Sequence, residues 1–204
     1  MSARTPTRLV RQPSGELVEA VLIDGVSRDE LVQVHIDWQP HRIEALKRAA
    51  EGRGKWPEHW HWDWSQKAEK LKFLAYQCFG VELDGQMQGL MMLSTISRRA
   101  RIPSEKGKPV LYIEYIESAP WNVRDLTETP RFSGVGVALL EAAIQTSIEE
   151  GMSGRIGLHS LPQAEPFYRR YMEDLGIDAN NSEELRYFEM TPVQASAFME
   201  GREP

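Results

Sequence analysis

Cysteine is nearly absent from this sequence. Cys78 stands alone among 204 residues, so no disulfide forms within the chain. It sits in an apolar, strand-like segment, where a thiol packs as a small hydrophobe more often than it reacts. Long apolar runs are missing too. None approaches the roughly 18 to 20 residues that span a bilayer, and the opening MSARTPTRLVRQPSGE has no apolar core of the kind a signal peptide carries. The expected compartment is therefore the cytoplasm, with no membrane partner. An excess of basic charge is also lacking. A formal net charge of -6 gives the chain as a whole no attraction for phosphate backbones, so nucleic acid is not an expected partner and an amine or cationic one suits it better. The local run Arg98, Arg99, Arg101, Lys106 and Lys108 lies in a stretch containing Pro and Gly and reads as a solvated loop.

What is present is an ordinary folding composition, 41% apolar and 26% charged, enough to build a core against the entropy of ordering the chain. Residues 1–15, polar with Pro6, Pro13 and Gly15, read as a flexible N-terminal arm, and residues 16–204 as a single domain. Residues 17–23 predict a strand closed by Asp24-Gly25. Leu31, Val34, His35 and Trp38 then recur at helical spacing, and Pro40 is expected to end or kink that helix before Ile43, Leu46 and Ala50 resume a stripe. Asp63 with Gln66 reads as a helix N-cap pair, and residues 79–83 and 87–96 about Asp84-Gly85 as a β-hairpin. Residues 110–118 predict a central strand, 136–150 a helix, 155–159 a strand, 163–175 a helix ended by Gly176, and 185–190 a last strand. The alternation argues for a mixed α/β sheet and by itself says nothing of chemistry.

Chemistry enters at Arg131-Phe132-Ser133-Gly134-Val135-Gly136, between the central strand and the following helix. Glycines at a loop-to-helix junction let the backbone approach an anion, and the unpaired N–H groups of the first turn point at it with the positive end of the helix dipole. A phosphate group fits there, although two glycines also make a plain turn. The segment is neither a Walker A loop nor a GxGxxG fingerprint.

This segment resembles the pyrophosphate-binding motif of the GNAT acetyltransferases, [RQ]xxGx[GA], with Arg131, Gly134 and Gly136 at its three defined positions. Ala164-Glu165-Pro166-Phe167-Tyr168 with Gly176-Ile177 resembles the same family's later AxxFY…G[FI] segment, and the likeness covers roughly residues 17–190. It implies a mixed, mostly antiparallel twisted sheet of about six to seven strands with about four to five helices, splayed at the central strand. It also implies acetyl-CoA as cofactor and an N-acetyltransferase acting on a primary amine of a small molecule or protein, the alternative being a non-catalytic module that binds coenzyme A or a partner. By position, Ile116, Glu117 and Ser118 would meet the pantetheine arm, and Arg131, Phe132, Ser133, Gly134, Val135 and Gly136 the phosphates. Glu114 matches the usual place of the carboxylate base, with Glu117 as its alternative, and Tyr168 matches the family's proton donor, with Tyr171 as its competitor. Three departures stand out: residues 121–130 separate Pro120 from Arg131, the helix after Phe167-Tyr168 runs longer than usual before Gly176, and the asparagine common before that helix is replaced by His159-Ser160 nearby.

The acceptor side falls by resemblance on KWPEHWHWDW, residues 55–64, and APWNVRDLTETP. Trp62, Trp64 and Trp121 are the expected acceptor contacts, by stacking or cation–π attraction, with Asp63, Asp125 or Glu128 adding negative charge. The same tryptophans also suit a hydrophobic cluster pinning a long loop. His59 and His61 lack a third ligand of recognisable spacing, so no metal is expected. Folds of this kind often pair, so a homodimer is a possible assembly.

Overall fold

A computed structural model describes residues 2–56 and 58–201. Met1 of the expected arm, Pro57 of the tryptophan stretch and residues 202–204 of the expected domain lie outside the described residues. The chain gathers into two compact units. One holds the residues up to Met92 together with Tyr115–Leu139, the other Leu93–Glu114 together with the residues from Leu140 onward. Nine strands among the described residues are hydrogen-bonded in the order β6-β1-β2-β3-β4-β5-β7-β9-β8. They are β1 (Ala3–Arg11), β2 (Leu17–Asp24), β3 (Tyr76–Leu83), β4 (Gln86–Arg99), β5 (Pro109–Ser118), β6 (Phe132–Ser133), β7 (Ile156–Ser160), β8 (Glu173–Ile177) and β9 (Arg186–Met190). The helices are α1 (Arg28–Ala50), α2 (Trp64–Lys67), α3 (Val135–Glu149), α4 (Glu165–Tyr168) and α5 (Pro192–Met199). The strand number exceeds the expected six to seven because β1, β6 and β8 were not foreseen.

In the first unit, the residues expected as a loose arm form β1, which pairs antiparallel with β2 from Ala3↔Asp24 to Val10↔Leu17 and with β6 through Val10↔Ser133 and Arg11↔Phe132. The alternation of β1 is weak, since only Leu9 is fully buried, and the strand is stabilised by partners distant in sequence. Helix α1 opens with a capping box in which Ser27 accepts from the Glu30 amide and the Glu30 carboxylate accepts from the Ser27 amide. It does not break at Pro40. Pro40 faces solvent, where water can take up the Ile36 carbonyl that loses its partner. The helix therefore keeps one phase, and its buried stripe is Leu31, Val34, Trp38, Arg42 and Ala45, while Ile43 is exposed. An arginine thus occupies a core position. The expected hairpin forms as read: Asp84 and Gly85 both have positive φ, +50° and +74°, as a primed two-residue turn requires. The core of this unit gathers Ile23, Leu31, Trp38, Trp64, Leu90 and Trp121.

In the second unit, β5 and β7 run parallel and pair over Leu111–Ile113 with Ile156–Leu158, each strand continuing beyond the paired stretch. The helix expected over residues 163–175 is a 3-10 turn, Pro162–Ala164, and the single turn α4, after which the chain becomes β8. Pairing with β9 overrides the helical period: Glu173 and Asp174 lie opposite Glu189 and Phe188, with a register shift before Ile177↔Arg186. Helix α5 was also missed, although Thr191 and Gln194 write a capping box around Pro192 in the sequence itself. No helix among the described residues is long and apolar enough to cross a membrane.

One close approach fixes the geometry of the first unit. A Cβ on Gly89 of β4 would overlap Val135 Cγ1 and lie 3.2 Å from the Glu117 carbonyl oxygen. We predict that Gly89→Ala destabilises the protein by about 1–3 kcal/mol through overpacking. A urea midpoint equal to that of the parent chain would contradict this close packing of β4 against β5 and the start of α3.

Candidate active site

The glycine segment is held from several sides before it reaches α3. The Arg131 amide donates to the Trp121 carbonyl at 3.0 Å, the Phe132 amide to Asn122 Oδ1 at 3.0 Å, and the Arg131 carbonyl accepts from the Gln12 amide at 2.8 Å. Gly134 then turns with φ +93°, a value L side chains rarely adopt. The Ala138 amide makes the first helical bond, to the Gly134 carbonyl at 2.9 Å, so the amides of Val135, Gly136 and Val137 precede the bonded ladder at the positive end of a 15-residue helix. Val135 and Gly136 border a cleft of about 440 Å³. Ser118, Phe132, Ser133, Gly134, Val135 and Gly136 all line it, as do Arg124, Glu128, Thr129 and Pro130. Residues 121–130, unexpected in length, are therefore part of the cleft's wall. They are fastened by Trp121 Nε1 and Asn122 Nδ2 donating to Gln88 Oε1, at 2.9 and 3.0 Å, and by Arg48 donating to the Leu126 carbonyl at 2.5 Å. Arg131 is exposed beside the cleft with its guanidinium 5.1 Å above the Trp121 ring. Ile116 and Glu117 are not among the described lining residues.

Glu117 instead turns into the core, its side chain 3% exposed. Arg42 Nη2 donates to both carboxylate oxygens, at 2.7 and 2.9 Å, and Trp64 Nε1 donates to Oε2 at 2.6 Å. Arg42 Nη1 reaches the Trp62 carbonyl at 2.6 Å, and the guanidinium lies 5.7 Å from the Trp38 ring centroid. His59 Nε2 stands 3.3 Å from Glu117 Oε1. Burial lowers the His59 pKa more than this carboxylate raises it, and Arg42 adds to the lowering, so the imidazole is held below its ordinary value.

The tryptophans divide by exposure. Trp64 has no accessible surface and Trp121 is buried edge-on against Trp38, so neither presents a ring to a ligand as expected from sequence. Both pin their loops to the core. Trp62 is half-buried, 5.5 Å from the Tyr115 ring, whereas Trp56 and Trp60, not singled out before, are more than half exposed. His61 packs on Trp60 while His59 points inward, so the two histidines do different things.

In the second unit, Glu114 is half-buried with Arg98 Nη2 3.9 Å from its carboxylate. Tyr168 is buried, packed 5.3 Å from Phe167 and 5.8 Å from Phe188, and burial pushes its phenol well above the ordinary tyrosine value. Tyr171 is half-buried against Phe198. A relay not read from the sequence lies in the same unit: Tyr112 Oη is 2.5 Å from His159 Nδ1, and His159 Nε2 is 2.9 Å from Asp178 Oδ2. Because a carboxylate only accepts, Nε2 carries the proton and Nδ1 accepts from the Tyr112 hydroxyl. Hydrogen bonds from His159 and Arg101 hold the Asp178 carboxyl below the usual carboxylate range, and burial pushes Tyr112 up to about 12.

No family model and no curated protein matches the sequence. Solved structures do match. The PaiA N-acetyltransferase of Thermoplasma acidophilum in complex with coenzyme A is 13% identical at a TM-score of 0.52, over 83% of this chain and 98% of that one. A GCN5-related N-acetyltransferase from Ralstonia eutropha JMP134 is 19% identical at 0.51, over 79% and 97%. The aminoglycoside acetyltransferase AAC(6')-Ib in complex with coenzyme A and kanamycin is 16% identical at 0.52, over 86% and 96%. The fold is that of the GNAT acetyltransferases. Within the GNAT fold of this chain, the glycine segment was legible beforehand because it is local. Arg42 and His59 were not, and the one trace of Arg42 was its place in the apolar stripe of α1.

Removing one partner of a buried ion pair strands the other, so Arg42→Met is expected to cost about 3–5 kcal/mol, read as a lower urea midpoint. For His59 the folded value lies below the unfolded one, so the unfolded chain binds the proton first as pH falls. The stability this histidine contributes is therefore complete above about pH 6.5 and declines below it. We predict that His59→Gln flattens the loss of stability between pH 7.5 and 5.5; an equal loss in both proteins would refute it.

Proposed function

We propose that this chain is an acyl-CoA-dependent N-acetyltransferase, transferring an acetyl group from acetyl-CoA to a primary amine of a small molecule or a protein. The observation that carries this reading is the cleft at Gly134, where first-turn amides of a long helix, a positive φ and a polar wall come together. That cleft fits a pyrophosphate: the amides of Val135, Gly136 and Val137 would donate to its oxygens, and only a residue without a Cβ turns easily at Gly134. Ser118, at the end of β5, would meet the arm leading away from the phosphates. Coenzyme A in two of the similar structures supports the same assignment. Bound acetyl-CoA would supply an activated acyl carbonyl and a thiolate leaving group.

The chain's own groups divide the remaining work. Glu114 is the better candidate for the base, because the oxygens of Glu117 already accept from Arg42 and Trp64. Glu117 is then a positioning residue that holds Arg42 and the tryptophan segment. Tyr168 is the proton donor that the resemblance implies, and burial keeps its phenol protonated. Among the tryptophans expected at the acceptor, Trp62 keeps an accessible ring. We infer a cytoplasmic enzyme, in keeping with a chain whose single cysteine is buried and forms no disulfide within it.

Calorimetric titration with acetyl-CoA tests the reading. Micromolar binding by the native chain, lost in Gly134→Glu, is expected, followed by thiol release when primary amines are added. Absence of binding by the folded native chain would reject the assignment, and binding without thiol release from any amine would favour a non-catalytic coenzyme A module.

A further inference from the structure

Lys67 is the last residue of α2, a single turn fixed by the Asp63 cap and by the buried Trp64. Its side chain runs inward. Nζ lies 4.1 Å from the Tyr115 ring centroid and 4.8 Å from that of Trp62, two rings set nearly perpendicular at 79°. Lys70 is half-buried nearby, its Nζ 5.1 Å from the Tyr115 centroid and 4.9 Å from that of Tyr76. By contrast, Lys47, Lys55, Lys72, Lys106 and Lys108 are exposed. Tyr115 stands three residues before Ser118 on β5, so the Lys67 amine lies beside the strand whose last residue lines the glycine cleft, roughly 10 Å along the strand from it.

Burial pushes the Lys67 amine down to about 8, against the pull of Glu117 and Asp63 and with the help of Arg42 and Lys70. An amine at that value is about one-tenth neutral at pH 7, whereas an ordinary lysine is neutral in roughly one molecule in three thousand. The aromatic faces favour the cation, so the lowering is the work of burial, and the neutral fraction it creates has a lone pair available for attack.

We propose that Lys67 Nζ is itself an acetyl acceptor, so that the protein acetylates its own chain at this one site. The inference rests on the acetyl-CoA reading given above and names a substrate for it. The neutral Nζ uses its lone pair to form the N–C bond to the acetyl carbonyl carbon as the C–S bond breaks, and the proton lost from nitrogen ends on the departing sulfur. The products are an acetamide at Lys67 and the free thiol, with no net proton change from the neutral amine. Acetylation removes a positive charge from between Trp62 and Tyr115 and leaves an uncharged group in its place.

The test incubates the purified full chain with acetyl-CoA at pH 7.0 and 8.0, follows intact mass, and maps modified lysines by peptide mass spectrometry. Calorimetry of acetyl-CoA binding is run on the same preparation. One acetyl group at Lys67, gained more than about tenfold faster than at any exposed lysine, faster at pH 8.0 than at 7.0, and lost in both Lys67→Arg and Gly134→Glu, is the expected result. Acetyl-CoA binding without acetylation of Lys67, or acetylation spread evenly over the exposed lysines, overturns the inference and leaves the coenzyme reading intact. Failure to bind acetyl-CoA overturns both. Brief labelling with acetic anhydride supplies a readout independent of the coenzyme: Lys67 more reactive than Lys55 and Lys106 at pH 7 supports the inference, and Lys67 unreactive until pH 10 counts against it.

Discussion

Glu117 brings a carboxylate out of water into the first unit, and the residues around it are arranged to answer that burial. A carboxylate is costly to desolvate without compensating hydrogen bonds. Here Arg42 meets both oxygens and Trp64 meets one, which joins α1, the start of α2, and β5 at one point. Arg42 also holds the Trp62 carbonyl, so the long stretch after α1 is tied at both Trp62 and Trp64. The buried pair specifies an arrangement more than it adds net stability, since well-packed apolar groups often replace such pairs without loss.

The consequences reach the cleft. With β5 positioned through Glu117, Ser118 lies at the edge of the space bordered by Gly134 and Gly136, and Gly89 lets the neighbouring strand approach without a Cβ in the way. The same anchoring explains why Trp62 and Tyr115 hold a lysine between them. Rings fixed by a buried framework form a standing cation site, whereas mobile rings would first have to be ordered. In the second unit the Tyr112–His159–Asp178 relay follows a parallel logic: Asp178 is fixed by Arg101 and in turn fixes the tautomer of His159.

Several sequence expectations failed for one reason. The stripe read after Pro40 was re-phased because a proline was assumed to break the helix; a solvent-facing position let α1 continue, and the stripe then fell on Arg42 and Ala45 instead of Ile43. Residues 163–175 carry a helical period, yet β9 offers an edge that residues 173–177 satisfy by pairing. Trp64 and Trp121 were read as acceptor contacts because indoles suit cation binding; in the structure each N–H is spent on a buried acceptor, Glu117 or Gln88. The fault in each case lay in what the residue met, not in its intrinsic preference.

The sequence by itself determined the features written in adjacent residues: the Asp84-Gly85 turn, the Asp63 cap, the β-prone run of β5, and the glycine segment that turns into α3. These depend on φ preference, period and short-range hydrogen bonds, which neighbours in the chain settle among themselves. Tertiary structure alone decided that Glu117 pairs with Arg42, 75 residues away, that Trp64 caps the same carboxylate from 53 residues away, and that Lys67 is drawn between two rings. Burial is a property of the folded neighbourhood. A charged or aromatic residue carries the same symbol in the sequence whether it ends in water or against a carboxylate in the core.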